Sequence, residues 1–243
     1  LLAQPYCCIA SNMTCQQSNK AALHIASKCG HCYAGSMKIV SILSQKGGAG
    51  KTTLALHIAV AAEAARLSTV VIDLDPQASS AGWKDSRDKE TPVVVSLPHT
   101  RLAQGLQAAE EGGAALAVID TAPHSEAAAL AATRVADLVL IPCRPGILDL
   151  RAIGTTAELV KLAQKPAFVV LNTMPPRATN LLADARAAVE THGLEVAPVA
   201  LQQRAAYAHA LTAGATAAEY EPEGKAAAEV KAFMKWLRKT LPI

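Results

Sequence analysis

Residues 45–53 read Gln45-Lys46-Gly47-Gly48-Ala49-Gly50-Lys51-Thr52-Thr53, and this stretch decides the fold class of the chain. A short apolar run precedes it, and an alanine-rich stretch with helical periodicity follows it. Glycines let backbone N–H groups turn inward around a phosphate, and the following helix adds its positive end. A strand, a glycine-rich turn and a helix in this order predict a phosphate-binding loop.

The same loop carries the side chains that a nucleoside triphosphate and its metal need. Lys51 would neutralise the β and γ phosphates, and the Thr52 hydroxyl would ligate Mg²⁺. We therefore predict a nucleoside triphosphate and Mg²⁺ as cofactors. The predicted phosphate site comprises Gly47, Gly48, Ala49, Gly50, Lys51, Thr52 and Thr53.

Outward from this loop, short apolar runs alternate with longer stretches of helical periodicity. The apolar runs are residues 39–43, 69–74, 93–96, 115–119, 138–142, 167–171 and 194–198. The helical stretches are residues 51–66, 100–110, 126–135, 148–164, 178–192 and 224–241. Continuous apolar strands imply burial on both faces of a sheet. The pattern predicts a doubly wound α/β fold, with helices on both faces of a mostly parallel sheet.

The composition limits what this chain can be. Hydrophobic residues make up 51% and charged residues 18%, which excludes a disordered chain. A formal net charge of +3 confines any nucleic-acid contact to a local patch. Aromatic residues are 3%, too few for a platform that stacks successive bases. Because no apolar run reaches the roughly 18 residues of a spanning helix, we expect a soluble protein.

The first 36 residues differ from the rest. They hold five of the six cysteines and no Asp, Glu or Arg: the cysteines are Cys7, Cys8, Cys15, Cys29 and Cys32. Cys29 and Cys32 have redox C-x-x-C spacing, and with His24 and His31 these thiols offer zinc ligands. The alternative, which we favour, is an atypical leader outside the functional domain of residues 37–243: a mis-assigned start, a fusion scar or read-through. The cysteine-poor remainder indicates a reducing cytoplasm.

Three aspartates lie at the ends of predicted strands. Asp73 and Asp75 are two residues apart, so their carboxylates project the same way, towards the Mg²⁺ and the γ-phosphate. Asp120 ends the fourth apolar run, as in a Walker B strand, and should hold Mg²⁺ through water. The predicted metal set is Thr52, Asp73 and Asp120.

The motif at residues 46–53, Lys-Gly-Gly-x-Gly-Lys-Thr-Thr, resembles the deviant Walker A motif of the ParA/MinD family of ATPases. The resemblance extends in order from Met37 to the end of the chain. It implies that Lys46 reaches across an ATP-dependent dimer to the partner's phosphates, that Asp75 positions the attacking water and that Asp73 supports the metal shell. It also implies slow, Mg²⁺-dependent ATP hydrolysis, with Lys46, Lys51 and Asp75 as the catalytic residues.

The resemblance also suggests where adenine binds. Asn172 follows the sixth apolar run, where the family places an asparagine, and its amide can donate to and accept from a base edge. Met174 belongs to the same stretch, and the segment around Pro198 would close the other side of the base. The alternative is that Asn172 simply forms a turn before two prolines.

The C-terminal part is similar to that of ParA proteins that segregate plasmids and other cargo. In that group, basic residues of both subunits form a non-specific DNA patch once ATP has joined them. Arg204 and Lys225 match those positions, and Lys231 and Lys235 add charge along one helix. A solvated helix face is the alternative for each lysine singly.

We therefore expect a cytoplasmic, nucleoid-associated ATPase of the short, single-domain ParA branch, because the first strand starts two residues after Met37. Its partners would be a second copy of itself, duplex DNA and a ParB-like activator on the cargo.

Two alternatives remain at this stage. One is a MinD-like membrane regulator, because the last helix carries an apolar stripe that either lies on a membrane or, as we favour, packs on the sheet. Its residues are Val230, Phe233, Met234, Leu237 and Leu241. The other is a P-loop synthetase, which would need an acceptor pocket.

Overall fold

A seven-stranded sheet organises residues 36–243, the part of the chain that the computed structural model describes. Its strands are β1 (Lys38–Ile42), β2 (Thr69–Asp73), β3 (Val93–Ser96), β4 (Leu116–Asp120), β5 (Leu138–Cys143), β6 (Ala167–Leu171) and β7 (Glu195–Val196). They lie in the order β3-β2-β4-β1-β5-β6-β7, and every neighbouring pair is parallel. The predicted doubly wound α/β fold is confirmed. The Cys29 and Cys32 pair and the other predicted zinc ligands lie outside the described residues.

Helices cover both faces of this sheet. In chain order they are α1 (Lys51–Ala64), α2 (Ser79–Asp85), α3 (Leu102–Glu111), α4 (Glu126–Val135), α5 (Ile147–Arg151), α6 (Ile153–Leu162), α7 (Thr179–Glu190), α8 (Ala205–Thr212), α9 (Ala217–Tyr220) and α10 (Lys225–Thr240). Helices α3 to α7 pack on one face. Helices α1, α2 and α8 to α10 lie on the other.

The central strands β2, β4 and β5 are buried along their whole length, so their sequences are almost continuously apolar. Val40 and Ile42 of β1 face the layer that contains α1 and α10, whereas Ile39 of β1 and Leu43, the residue after the strand, face the opposite layer. Ser41 is fully buried among them, and its hydroxyl donates to the Ala132 carbonyl at 2.8 Å. This hydrogen bond removes the cost of burying a hydroxyl in the core.

The structure corrects several predicted elements. The single helix predicted at residues 148–164 is two helices, α5 and α6, which meet at Ala152. Helices α2, α8 and α9 were not predicted, because four to eight residues are too few to display a clear helical period. The last strand has two residues rather than five.

The apolar stripe of α10 packs inside the protein, as predicted. All five of its residues are buried in the core on the α1 side of the sheet. Trp236, off the stripe, stacks edge-on against Phe168 of β6 at a centroid distance of 5.2 Å. Across residues 36–243, no helix is both long enough and apolar enough to cross a membrane.

Candidate nucleotide site

The predicted phosphate loop joins β1, the central strand, to α1. Gly48 and Gly50 have φ values of +69° and +92°, which side chains larger than glycine rarely adopt. A Cβ on Gly50 would also overlap the Asn172 side-chain amide. The sequence needs glycine at this position both for the turn and for the close approach of Asn172.

The two lysines of the loop have different surroundings. Lys51 is buried at the start of α1, and its Nζ donates to the Lys46 carbonyl at 3.3 Å. Burial lowers the pKa of Lys51, against the opposing charges of Asp120 and Asp75. The Lys46 side chain is 41% exposed and pairs with Asp149 of α5, with 3.0 Å between Nζ and Oδ2.

The predicted metal ligands meet beside the loop. Asp73 and Asp120 end neighbouring strands and lie opposite each other in the register of β2 and β4. The Thr52 hydroxyl donates to Oδ2 of Asp120 at 2.7 Å, and the Ser80 hydroxyl donates to the same oxygen at 3.0 Å. Asp73 accepts the backbone N–H groups of Ser80 and Asp75, each at 2.9 Å.

One oxygen of this cluster differs from the others in its surroundings. Oδ1 of Asp120 is buried and makes no hydrogen bond within the described part of the chain. Burial raises the pKa of Asp120 to about 7, and the nearby Asp73 charge adds to the rise against hydrogen bonds from Thr52 and Ser80. Burial also raises the pKa of Asp73. A divalent cation would favour the ionised form of both groups, so the cluster fits hydrated Mg²⁺.

Ser80 is the residue of this cluster that the sequence analysis missed. It is fully buried and bridges the two aspartates through its hydroxyl and its backbone N–H. The sequence feature that could have pointed to Ser80 is the pair of serines shortly after Asp75-Pro76-Gln77. Because α2 is only seven residues long, nothing in the sequence fixed which serine turns inward.

Asp75 lies at the same edge of the sheet but outside this metal cluster. Its Oδ1 accepts the backbone N–H of Gln77 at 2.9 Å, and the residue is partly exposed. Its charge favours the protonated form of Lys51 and so opposes the fall in the pKa of that lysine. Lys46 and Lys51 belong to the loop and the start of its helix, and Asp75 lies two residues beyond Asp73, which ends the strand beside Asp120.

The residues predicted to bind adenine have definite structural partners. The Asn172 amide donates to the Ala49 carbonyl of the loop at 3.1 Å, and its Oδ1 accepts the Thr173 N–H at 2.7 Å. Met174 is buried, and its backbone pairs with residues 201–203. Pro198 is exposed in the segment that precedes them. Asn172 thus holds the phosphate loop, and the base-binding role of the three residues stays a prediction.

Replacing Asn172 separates these two roles. Asn172→Ala leaves the buried Ala49 carbonyl without its donor, so we expect the free energy of unfolding to fall by about 1–3 kcal/mol. If Asn172 also reads the base, the preference for ATP over GTP falls as well. Denaturant unfolding and titrations with both nucleotides measure the two effects. Equal losses of ATP and GTP affinity would contradict the base-reading role.

The predicted DNA-binding residues divide into two groups. Lys225, Lys231 and Lys235 are exposed on α10. Arg204 is instead partly buried, and its Nε donates to Oε1 of Glu229 at 2.7 Å. The Arg204 charge is therefore balanced within the chain, whereas those of the lysines face solvent.

The segment after Asp75 is tied to the helices that precede α10. The Trp83 indole of α2 donates to the Ala215 carbonyl at 3.1 Å. Arg87 and Lys89, just beyond α2, form ion pairs with Glu219 of α9 at 2.8 Å. Burial disfavours the Glu219 carboxylate, but the hydrogen bonds from Arg87 and Lys89 outweigh it and lower its pKa to about 2.

A buried histidine of α1, the helix that follows the phosphate loop, forms a second contact with α9. Nε2 of His57 accepts the Ala217 N–H at 3.0 Å, so Nδ1 carries the proton donated to the Thr53 carbonyl at 2.7 Å. Burial lowers the pKa of His57 to about 4, which keeps the ring neutral in this role. Helix α1 is thereby joined to the start of α9.

Known proteins resemble this chain in sequence and in fold. Residues 40–216 match the family model of the CobQ/CobB/MinD/ParA nucleotide binding domain. The chain is 30% identical over 198 residues to the maintenance of carboxysome distribution protein A of Gloeobacter kilaueensis, covering 80% of this chain and 89% of that protein.

Two solved structures show the same fold. An ATP complex of McdA from Cyanothece aligns with a TM-score of 0.66 at 16% identity, covering 84% of this chain and 97% of that one. MinD from Pyrococcus horikoshii with Mg-ADP aligns with a TM-score of 0.64 at 18% identity, covering 84% and 96%.

Proposed function

The chain belongs to the CobQ/CobB/MinD/ParA family as a ParA/MinD-type ATPase, and from that premise we propose that it positions or segregates a cargo along DNA. ATP joins two copies face to face, and the dimer binds duplex DNA without sequence preference. A cargo-bound activator of the ParB type then stimulates slow ATP hydrolysis and release. The protein acts in the cytoplasm, on the nucleoid.

The observation that best supports DNA binding is that α10 has one buried apolar face and one exposed basic face. Its apolar stripe is buried in the core, and its exposed residues include five cations. These are Lys225, Lys231, Lys235, Arg238 and Lys239. Glu229, the one acid of α10, is engaged by Arg204 and does not neutralise the exposed lysines. Two such helices in a dimer would bind phosphates electrostatically.

The nucleotide step rests on the groups around the loop. Thr52, Asp73 and Asp120 would hold Mg²⁺, which when bound offsets the charge of the β and γ phosphates. Lys51 neutralises the same phosphates from the start of α1. Asp75 accepts a hydrogen bond from the attacking water and orients it. Because residues 36–243 offer no dedicated strong base at this edge of the sheet, turnover is slow.

Contacts of the segment that contains α2 with the segment that contains α9 support a link between nucleotide and DNA. The segment that starts at Asp75 continues into α2, and Trp83 and Arg87 join it to Ala215 and Glu219. Helix α9 leads directly into α10. A change at Asp75 on ATP binding would therefore reach the basic face through packed, hydrogen-bonded residues.

The cargo is a plasmid, a chromosomal region or a protein assembly. The relative from Gloeobacter kilaueensis is named for carboxysome distribution, which favours a protein assembly. The MinD-like alternative needs an apolar helix face that can enter a membrane. Burial of the α10 stripe leaves that helix without such a face, and this favours DNA over lipid.

Duplex binding measured with and without ATP and Mg²⁺ tests the proposal. We expect binding only with ATP, and affinity that falls steeply with salt. The double variant Lys231→Ala, Lys235→Ala removes four lysines from a dimer. At about 0.9 per lost phosphate contact, the slope of log affinity against log salt should fall by about 3 to 4.

The matched control removes two cations from the other face of the sheet. Arg134 and Lys161 are exposed in the last turns of α4 and α6, so replacing both with alanine should leave the slope unchanged. Equal effects of the two double variants would contradict a DNA face on α10. ATP-dependent binding to anionic vesicles, with no duplex binding at any salt, would favour the MinD-like function.

A further inference from the structure

Arg144 lies beside the phosphate loop, and neither the loop motif nor the metal cluster includes it. It follows Cys143, the last residue of β5, and β5 pairs directly with β1. The nearest atom to a Cβ built on Gly48 is Nη2 of Arg144, at 3.3 Å. The guanidinium therefore lies against the backbone of the loop.

The guanidinium is also accessible to a ligand. Arg144 is exposed, and its side chain makes no ion pair or hydrogen bond within residues 36–243. The two loop lysines differ from it, because Lys46 pairs with Asp149 and Lys51 donates to the Lys46 carbonyl. An arginine is always charged and offers a planar fork of donors, which matches phosphate oxygens.

We propose that Arg144 binds the terminal phosphate of ATP and makes the site prefer ATP to ADP. This inference rests on the proposed function, in which the loop holds ATP. Gly48 lies three residues before Lys51, the residue that reaches the β and γ phosphates. A guanidinium over Gly48 approaches the same end of the phosphate chain from outside the loop. The phosphate belongs either to the nucleotide of the same chain or to that of the second copy.

Titration of the full chain with fluorescent ATP and ADP analogues, in the presence of Mg²⁺, tests the contact. One charge-assisted hydrogen bond corresponds to a loss of about tenfold or more. We expect Arg144→Ala to weaken ATP binding by about tenfold and to leave ADP binding within about twofold. Arg144→Lys keeps the charge without the fork and should recover part of the loss.

Two controls calibrate this titration. Arg134→Ala removes an exposed arginine at the end of α4, near the opposite edge of the sheet, and should change neither affinity. Lys51→Ala should weaken both nucleotides, which shows that the assay reports phosphate contacts. Thermal unfolding of each variant checks that the domain remains folded.

Repeating the titration in a Lys46→Ala background distinguishes the two sources of the phosphate. A loss of ATP affinity that persists there assigns the contact to the nucleotide of the same chain. If Arg144→Ala weakens ATP binding only when Lys46 is present, the phosphate belongs to the nucleotide of the second copy. Unchanged ATP affinity in both backgrounds, or equal losses for ATP and ADP, would overturn the proposal. Failure of the unsubstituted chain to bind either nucleotide would overturn the proposed function as well.

Discussion

Asp75→Ala is expected to stop ATP hydrolysis and to leave the ATP-bound dimer intact. In the proposed function, Asp75 orients the attacking water, so its removal should lower the hydrolysis rate by about 10²-fold or more. ATP that is not hydrolysed keeps the two copies together. Phosphate release and light scattering after size exclusion, both in ATP and Mg²⁺, measure the two quantities.

The structure explains why this substitution should spare the binding site. Asp73 is held by the backbone N–H of residue 75, which alanine retains. The contact that is lost runs from Oδ1 of Asp75 to the Gln77 N–H at the surface. Its loss should cost about 0.5–1.5 kcal/mol of the free energy of unfolding.

Asp88→Ala serves as the matched control, because Asp88 is an exposed acid in the loop beyond α2. The Asp88→Ala protein should hydrolyse ATP at the same rate as the unsubstituted chain. An Asp75→Ala protein that stays monomeric in ATP, or one that hydrolyses ATP at the normal rate, would contradict the role given to Asp75.

The sequence alone could predict those parts of the site whose residues are adjacent in the chain. Residues 46–53 carry glycines, lysine and threonine in the order of a phosphate loop, and the structure places residues 46–50 between β1 and α1 and residues 51–53 in the first turn of α1. The aspartates could be found because each ends a buried strand. Parallel strands bring their carboxyl ends to one edge, so Asp73 and Asp120 become neighbours although they are 47 positions apart in the sequence.

Side-chain partners from distant parts of the chain could not be predicted in this way. Asn172 was recognised as a polar residue at a strand end, but its contact with the Ala49 carbonyl depends on how β6 lies relative to the loop. The pairing of Arg204 with Glu229 likewise depends on where α10 packs. Composition and motif reveal a cation, whereas only the fold shows whether it is free or paired.

The ties between α9 and the nucleotide site illustrate the same limit. Glu219 is 132 residues from Arg87, and Ala217 is 160 residues from His57. Helix α9 has four residues, which are too few to show a helical period, so the sequence did not predict it. These contacts join α1 and the loop beyond α2 to α9, a feature that the local sequence of neither element contains.

Lys46→Ala is expected to abolish the ATP-dependent dimer while monomers still bind ATP. The side chain of Lys46 would cross to the partner's phosphates, so its loss removes one charged contact from each of two sites. At about 1.5–3 kcal/mol for each contact, dimerisation should weaken by about 10²-fold or more. Sedimentation velocity across a range of protein concentrations, in ATP and Mg²⁺, measures this.

Monomer binding should survive because the loop depends on the backbone of residue 46. Lys51 donates to the Lys46 carbonyl, which alanine retains. The ion pair with Asp149 is lost, but the lysine side chain is 41% exposed, and such surface pairs contribute about 0–1 kcal/mol to the free energy of unfolding. ATP affinity measured at concentrations below dimerisation should therefore change little.

Asp149→Ala is the control that separates the ion pair from the crossing contact. It removes the same salt bridge but keeps the lysine, so its dimer should be at least as stable as that of the unsubstituted chain. If both variants lose the dimer equally, the dimer depends on the ion pair between Lys46 and Asp149 rather than on the contact of Lys46 with the partner's phosphates. If Lys46→Ala dimerises normally, the lysine does not cross, and the dimer must be held by other contacts.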